Sequence, residues 1–178
     1  LDEFCKNRGN NISNDYFFET VRTPWKGEIE YIKEEIAKGD ASCISFDIFD
    51  TLITRPLYDP VDLFVFLDPI FSEKIDNTVI FSKIRVEGET LARNYYRKEF
   101  GYDDVSLDEI YDFLEKNYPL SKNIWDEMKS YEKQLEIEFA NVRNTGKELF
   151  DLAVACEKRV FLITDMYLDR ETIETIFN

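Results

Sequence analysis

The sequence is 178 residues long, 44% apolar and 33% charged, with 37 acidic side chains against 22 basic ones and a formal net charge of −15. This composition fits a folded domain carrying an insertion, or two small domains, and excludes a disordered chain. The acidic balance argues against a nucleic-acid partner, whose phosphates need clustered Lys and Arg, and makes an anionic substrate depend on a metal ion or a local cation.

Residues 1–14 are polar and rich in Asn, which reads as loop. Tyr16, Phe17, Phe18, Val21, Pro24 and Trp25 form an apolar cluster suited to core packing. From Gly27 to Lys38, Ile29, Ile32 and Ile36 with Tyr31 recur at helical spacing, and Gly39 and Asp40 close the helix.

Cys43, Ile44, Ser45 and Phe46 then make a short apolar run arriving at Asp47, followed by Ile48, Phe49, Asp50, Thr51 and Leu52. A run of this length predicts a strand buried on both faces, as in a parallel sheet. Such sheets bind ligands beyond the carboxyl ends of their strands. Asp47, next to Thr51, is therefore expected where a carboxylate can attack an electrophile and form an ester intermediate. Arg55 follows closely; its guanidinium fork suits a carboxylate or a phosphate, although a solvated loop position is the expectation.

Asp59 and Pro60 open a helical pattern in which Val61, Phe64, Val65, Phe66 and Ile70 are apolar. A second helix is expected from about Asn77 to Phe100, with Ile80, Ile84, Glu87, Leu91 and Tyr95 at helical spacing and Gly101 closing it. Ser106 and Glu109 have the spacing of a capping box, ahead of a third helix that Pro119 ends. A fourth runs from Asn123 to about Phe139, with Trp125, Met128, Tyr131, Leu135 and Phe139 on one stripe. Arg85, Arg93 and Arg97 could face a site, but the expectation is solvated faces with intrahelical partners such as Glu89.

A helix from Asn144 to Lys158 follows, with Leu149, Leu152, Ala153 and Cys156 on one face. Val160, Phe161, Leu162 and Ile163 are a second buried-strand pattern, with Thr164 and Asp165 at its tip. Helix then strand is half of a βαβ unit. Asp169 is placed to cap a final helix from Arg170 to Phe177.

No His occurs in the sequence, which excludes Ser–His–Asp and Cys–His mechanisms and His-ligated zinc. Cys5, Cys43 and Cys156 have no metal or redox spacing, so they are expected as buried small hydrophobes in a reducing compartment. No apolar run reaches the roughly 20 residues of a membrane span. A cytoplasmic location without a membrane partner is expected, and a first residue of Leu1 suggests a piece of a longer chain.

In two stretches, FDIFDTL and VFLITDMYL, the sequence resembles the haloacid dehalogenase superfamily of hydrolases. The first resembles the family's apolar strand ending in a nucleophilic Asp, with Asp47 as that residue and Thr51 as the hydroxyl residue. The second resembles the strand ending in a Ser or Thr that binds the phosphoryl group, with Thr164 in that place.

The resemblance implies an α/β fold. Residues 42–58 and 142–178 would form part of a Rossmann-like core, with parallel strands near 43–48 and 159–164. Residues 59–141 would be an inserted all-helical cap, and residues 1–41 a loop and helix packed on the core. A one-turn helix and a small hairpin would act as a flap after the first strand.

It also implies an Mg²⁺-dependent phosphatase acting through an aspartyl-phosphate on a small phosphorylated metabolite. Asp47 and the Phe49 carbonyl would hold the metal; Arg55, from its guanidinium chemistry, and Asp165, from its place at the strand tip, are the candidate substrate contacts. The family's phosphatases carry a general acid two residues after the nucleophile; here that position is Phe49, and Asp50 is the acid nearby. Phe49 fits the branch that hydrolyses carbon–halogen bonds, which is the alternative enzyme, and a non-catalytic interaction module is a third reading. The family's third and fourth motifs do not occur in these residues. The expectation is therefore an inactive segment whose two-stranded sheet pairs with a second copy or exposes an edge.

Overall fold

A computed structural model of the chain describes residues 26–75, 79–102 and 104–178. The aromatic cluster expected between Tyr16 and Trp25, and Cys5, lie outside the described residues. The architecture is mixed α/β and mostly helical. The described residues form two compact units, 26–45 with Lys147–Phe161, and Phe46–Gly146 with Leu162–Asn178.

The first unit contains α1 (Lys26–Lys38), the start of β1 (Cys43–Asp47), most of α6 (Asn144–Ala155) and the start of β4 (Arg159–Ile163). The Gly39 N–H donates to the Glu35 carbonyl at 2.8 Å, ending α1 where the sequence expects it. Ile36 is buried, whereas Tyr31 and Ile32 are exposed. Lys33 pairs with Glu148 at 2.7 Å, and the Lys158 ammonium donates to the carbonyls of Gly39 and Ala41. Cys43 is exposed and Cys156 half-buried, so neither is the buried hydrophobe expected of it.

β1 and β4 run parallel. The Arg159 N–H donates to the Ser42 carbonyl at one end of the ladder, and the Ile48 N–H to the Ile163 carbonyl, at 3.1 Å, at the other. The expectation of strands buried on both faces is corrected. In β1 only Phe46 is buried, and in β4 Phe161, Leu162 and Ile163 are about half exposed. The reason is the sheet itself: among the described residues it has these two strands, so each strand has a free edge with no further strand beside it.

In the second unit β2 (Ile53–Thr54) pairs antiparallel with β3 (Asn141–Val142), Ile53 opposite Val142. This distant pairing stands where a local hairpin was expected. A 3-10 helix, Pro60–Leu67, follows, with Asp59 accepting from the Val61 N–H and Asp62 accepting from the Asp59 N–H. Next come α2 (Asp68–Lys74), α3 (Phe81–Phe100), α4 (Leu107–Asn117), α5 (Lys122–Phe139) and, after β4, α7 (Arg170–Ile176). Ser106 and Glu109 make the expected capping box, and Asp169 accepts from the Thr172 N–H at 2.9 Å. Gly101 closes α3 in the left-handed conformation, φ 80°.

These helices enclose a core of Leu63, Leu67, Phe71, Phe81, Ile110, Leu114, Trp125 and Met128. Each such side chain contributes roughly 1.5–3 kcal/mol over the exposed state. The stripe expected on α3 is corrected: Ile80, Leu91 and Tyr95 are exposed, and the buried face is Phe81, Ile84, Arg85, Gly88 and Ala92. The Leu114 side chain lies against Gly88 so closely that a Cβ there would meet it at 2.3 Å, which selects this face for the α3–α4 contact. On α5 the buried residues are Trp125, Met128, Glu132 and Glu136, with Tyr131, Leu135 and Phe139 half-buried beside them. No helix among the described residues is long and apolar enough to cross a membrane.

Candidate active site at the end of the first strand

The second unit holds a cavity of about 280 Å³ beside the end of β1. Asp47, Phe49 and Asp50 line it from the strand end, Arg55 and Pro60 from the segment that follows, and Val61 and Phe64 from the 3-10 helix. Glu89 of α3 and Asp165, Met166 and Tyr167 after β4 complete the wall.

The strand end is shaped by a tight loop. The Ile48 carbonyl accepts from both the Leu52 and Ile53 N–H groups, at 2.9 and 3.0 Å. Asp50 takes the left-handed conformation at φ 58°, uncommon outside Gly but tolerated by Asp. Arg143 fastens the loop by donating its N–H to the Leu52 carbonyl and its guanidinium to the Asp50 carbonyl. Gly146 makes this closeness possible, since a Cβ there would stand 2.0 Å from the Thr51 carbonyl oxygen. One turn on from Asp47, the Thr51 hydroxyl donates to its Oδ2 at 3.1 Å. The Asp47 carboxylate is thus oriented yet exposed, the state a nucleophile needs.

Of the residues the sequence singles out, Asp47, Phe49, Asp50, Arg55 and Asp165 line one cavity. Thr51 acts on it through Asp47. Thr164 is not on its wall; its Oγ1 accepts the Met166 N–H at 3.1 Å and shapes the turn after β4. Phe49, expected to offer its carbonyl to a metal and its ring at the general-acid position, carries the Arg55 guanidinium over that ring at 4.7 Å.

Arg55 is the one cationic side chain on the wall among the described residues. It is only 10% exposed, with Nε 3.2 Å from Oε2 of the fully buried Glu136. The two form an ion pair without hydrogen-bond alignment. The Tyr167 hydroxyl donates to the other Glu136 oxygen at 3.3 Å. Burial pushes the Glu136 carboxyl above its ordinary range, against the pull of Arg55.

Beneath the cavity lies a second polar group that sequence reasoning placed wrongly. Arg85 is not on a solvated face but fully buried, and donates through Nε and Nη2 to Glu132, both at 2.8 Å. Its Nη1 donates to Glu89, whose other oxygen accepts from Arg93. The Tyr111 hydroxyl also donates to Glu132, and the rings of Phe64 and Tyr167 cover the Arg85 guanidinium at 4.6 and 4.9 Å. Burial works against the charge on Arg85, but Glu132 outweighs it and raises the guanidinium above its ordinary value. Burial, and then Glu132, push the phenols of Tyr111 and Tyr167 well up.

A signal for this network exists in the sequence. Glu132 and Glu136 fall on the helical face that contains Trp125 and Met128, and a buried face of that kind carries carboxylates only if cations meet them. The cavity's carboxylates are hard oxygen donors of the type Mg²⁺ takes, often one or two with several waters. Among the described residues, no three acidic or cysteine side chains converge as a metal cage. No protein-family model matches the chain, and no curated protein matches it.

Proposed function

We propose that this chain carries the nucleophile-bearing part of a haloacid dehalogenase-like phosphatase, with a partial Rossmann-like core and the helices of residues 59–141 as its cap. The observation behind this reading is the Asp47 carboxylate, oriented by Thr51 on the wall of a cavity that also presents Arg55 and Asp50. Asp47 attacks the phosphorus of a small phosphomonoester; a P–O bond forms to its carboxylate as the bond to the leaving oxygen breaks. Asp50 gives the departing alkoxide its proton. Water then attacks the aspartyl-phosphate, Asp50 takes up its proton, and phosphate leaves with Asp47 restored.

Arg55 offsets charge on the phosphoryl oxygens, and Asp165 orients the substrate's polar end. Asp47 and the Phe49 carbonyl would hold Mg²⁺, which neutralises phosphoryl charge when bound.

The test is phosphate release from a panel of phosphomonoesters with Mg²⁺, for the full-length gene product and its Asp47→Asn variant. Turnover abolished by the substitution supports the reading, as does a phosphoryl group trapped on Asp47. Turnover unaffected by it overturns the reading.

A second reading, hydrolysis of a carbon–halogen bond, is favoured by Phe49 on the cavity wall, because a leaving halide needs no acid. Halide release from 2-haloacids would then replace phosphate release in the same assay. Absence of both, with Asp47→Asn leaving the chain's binding properties untouched, would instead favour an interaction module.

A further inference from the structure

Arg55 is held in an unusual way for a residue that meets substrate. Its Nε faces a fully buried carboxylate, its Nη2 reaches only the Met166 sulfur at 3.8 Å, and the Phe49 ring supports its plane. Nη1 has no hydrogen-bond partner among the described residues. The guanidinium is thus nearly dry, yet has donors to spare at a cavity whose other charged walls are carboxylates. A buried cation with unused donors is poised to accept an oxyanion in fork geometry.

We propose that Glu136 is a positioning residue for anion recognition: it clamps the Nε edge of Arg55, so that the Nη edge is presented to a phosphoryl group of the substrate. This inference rests on the phosphatase reading for the identity of the anion. Glu136 comes from α5, far along the chain from Arg55, and Tyr167 fixes its second oxygen. Without the Glu136 charge, Arg55 becomes an unpaired buried cation, whose desolvation cost drives it from its seat on Phe49 toward water. The gain in local positive charge is then of no use, because the fork no longer points at the cavity.

The test uses the full chain with inorganic phosphate as probe, its binding measured by isothermal titration calorimetry. Glu136→Gln is expected to weaken phosphate binding about tenfold, the size of one charge-assisted hydrogen bond. Glu136→Asp, which keeps the charge, should recover part of the loss. Glu132→Gln disturbs the buried network through Arg85 without touching Arg55, and should leave the phosphate affinity near that of the wild type. Circular dichroism on each variant identifies the folded ones.

Equal losses in Glu136→Gln and Glu132→Gln, no recovery in Glu136→Asp, or unchanged or tighter binding in Glu136→Gln would overturn the positioning role. An unfolded Glu136→Gln passes the decision to Tyr167→Phe, which removes the hydrogen bond that fixes Glu136 and whose unchanged phosphate affinity would also overturn it. Failure of the wild type to bind phosphate, or indifference to Arg55→Gln, would overturn the phosphatase reading itself.

Discussion

Arg85 and Glu132, 47 positions apart in the chain, form a two-pronged ion pair with both side chains fully buried. Breaking one side of such a pair leaves an uncompensated charge in the core, and Glu132→Ala is expected to cost about 3–5 kcal/mol in urea unfolding. Replacing both partners by apolar residues of similar volume, Arg85→Met with Glu132→Leu, should recover most of that loss. A double variant no more stable than either single one would show that the pair does more than balance its own burial. The Tyr111 and Glu89 hydrogen bonds would be the reason.

Gly146 and the Thr51 carbonyl touch at a distance that no side chain can share. Gly146→Ala must move backbone, and overpacking of this kind costs about 1–3 kcal/mol. Because the Thr51 hydroxyl orients Asp47, any phosphate release should fall by more than the stability loss explains. Thermal unfolding and turnover at a temperature where both proteins are folded separate the two effects.

Asp169 caps α7 and pairs with Lys133. Burial raises its carboxyl, but the Lys133 and Thr172 hydrogen bonds prevail and lower it from 3.8 to about 2. A carboxyl depressed on folding adds stability above its unfolded value, and that contribution disappears as the pH falls from about 4 to about 2. Asp169→Asn keeps a capping acceptor and removes the charge. Its unfolding midpoint should lie below the wild type's at pH 7 and meet it near pH 2. The gap should shrink in high salt, since the pair with Lys133 is partly exposed.

Under the proposed phosphatase reading, Asp50 is expected to matter in proportion to the leaving group. A positioned general acid contributes about 10²–10⁴-fold. Asp50→Asn should therefore slow release from an alkyl phosphate by about 100-fold or more, but change an aryl phosphate with a good leaving group far less. Equal slowing of both substrates would remove Asp50 from the acid role.

What the sequence by itself determined is short in range. Asp59, Ser106 and Asp169 each cap a helix within three residues, and Thr51 meets Asp47 across one turn, so a few adjacent residues specify each arrangement. Asp47, Asp50 and Arg55 are close in sequence, and the meeting with Asp165 was legible for a different reason: apolar runs end at Asp47 and just before Asp165, and parallel pairing brings the strand ends together.

Tertiary structure alone decided which faces are buried and which distant charges meet. Of the stripe read on α3, Ile84 is buried, but Ile80, Leu91 and Tyr95 lie on the exposed side, because Leu114 docks on Gly88. Arg55 found Glu136, and Arg85 found Glu132, through helix docking that no local pattern encodes. Periodicity shows that Glu132 and Glu136 share a face with Trp125 and Met128 and so need cations, but not which distant cation meets them.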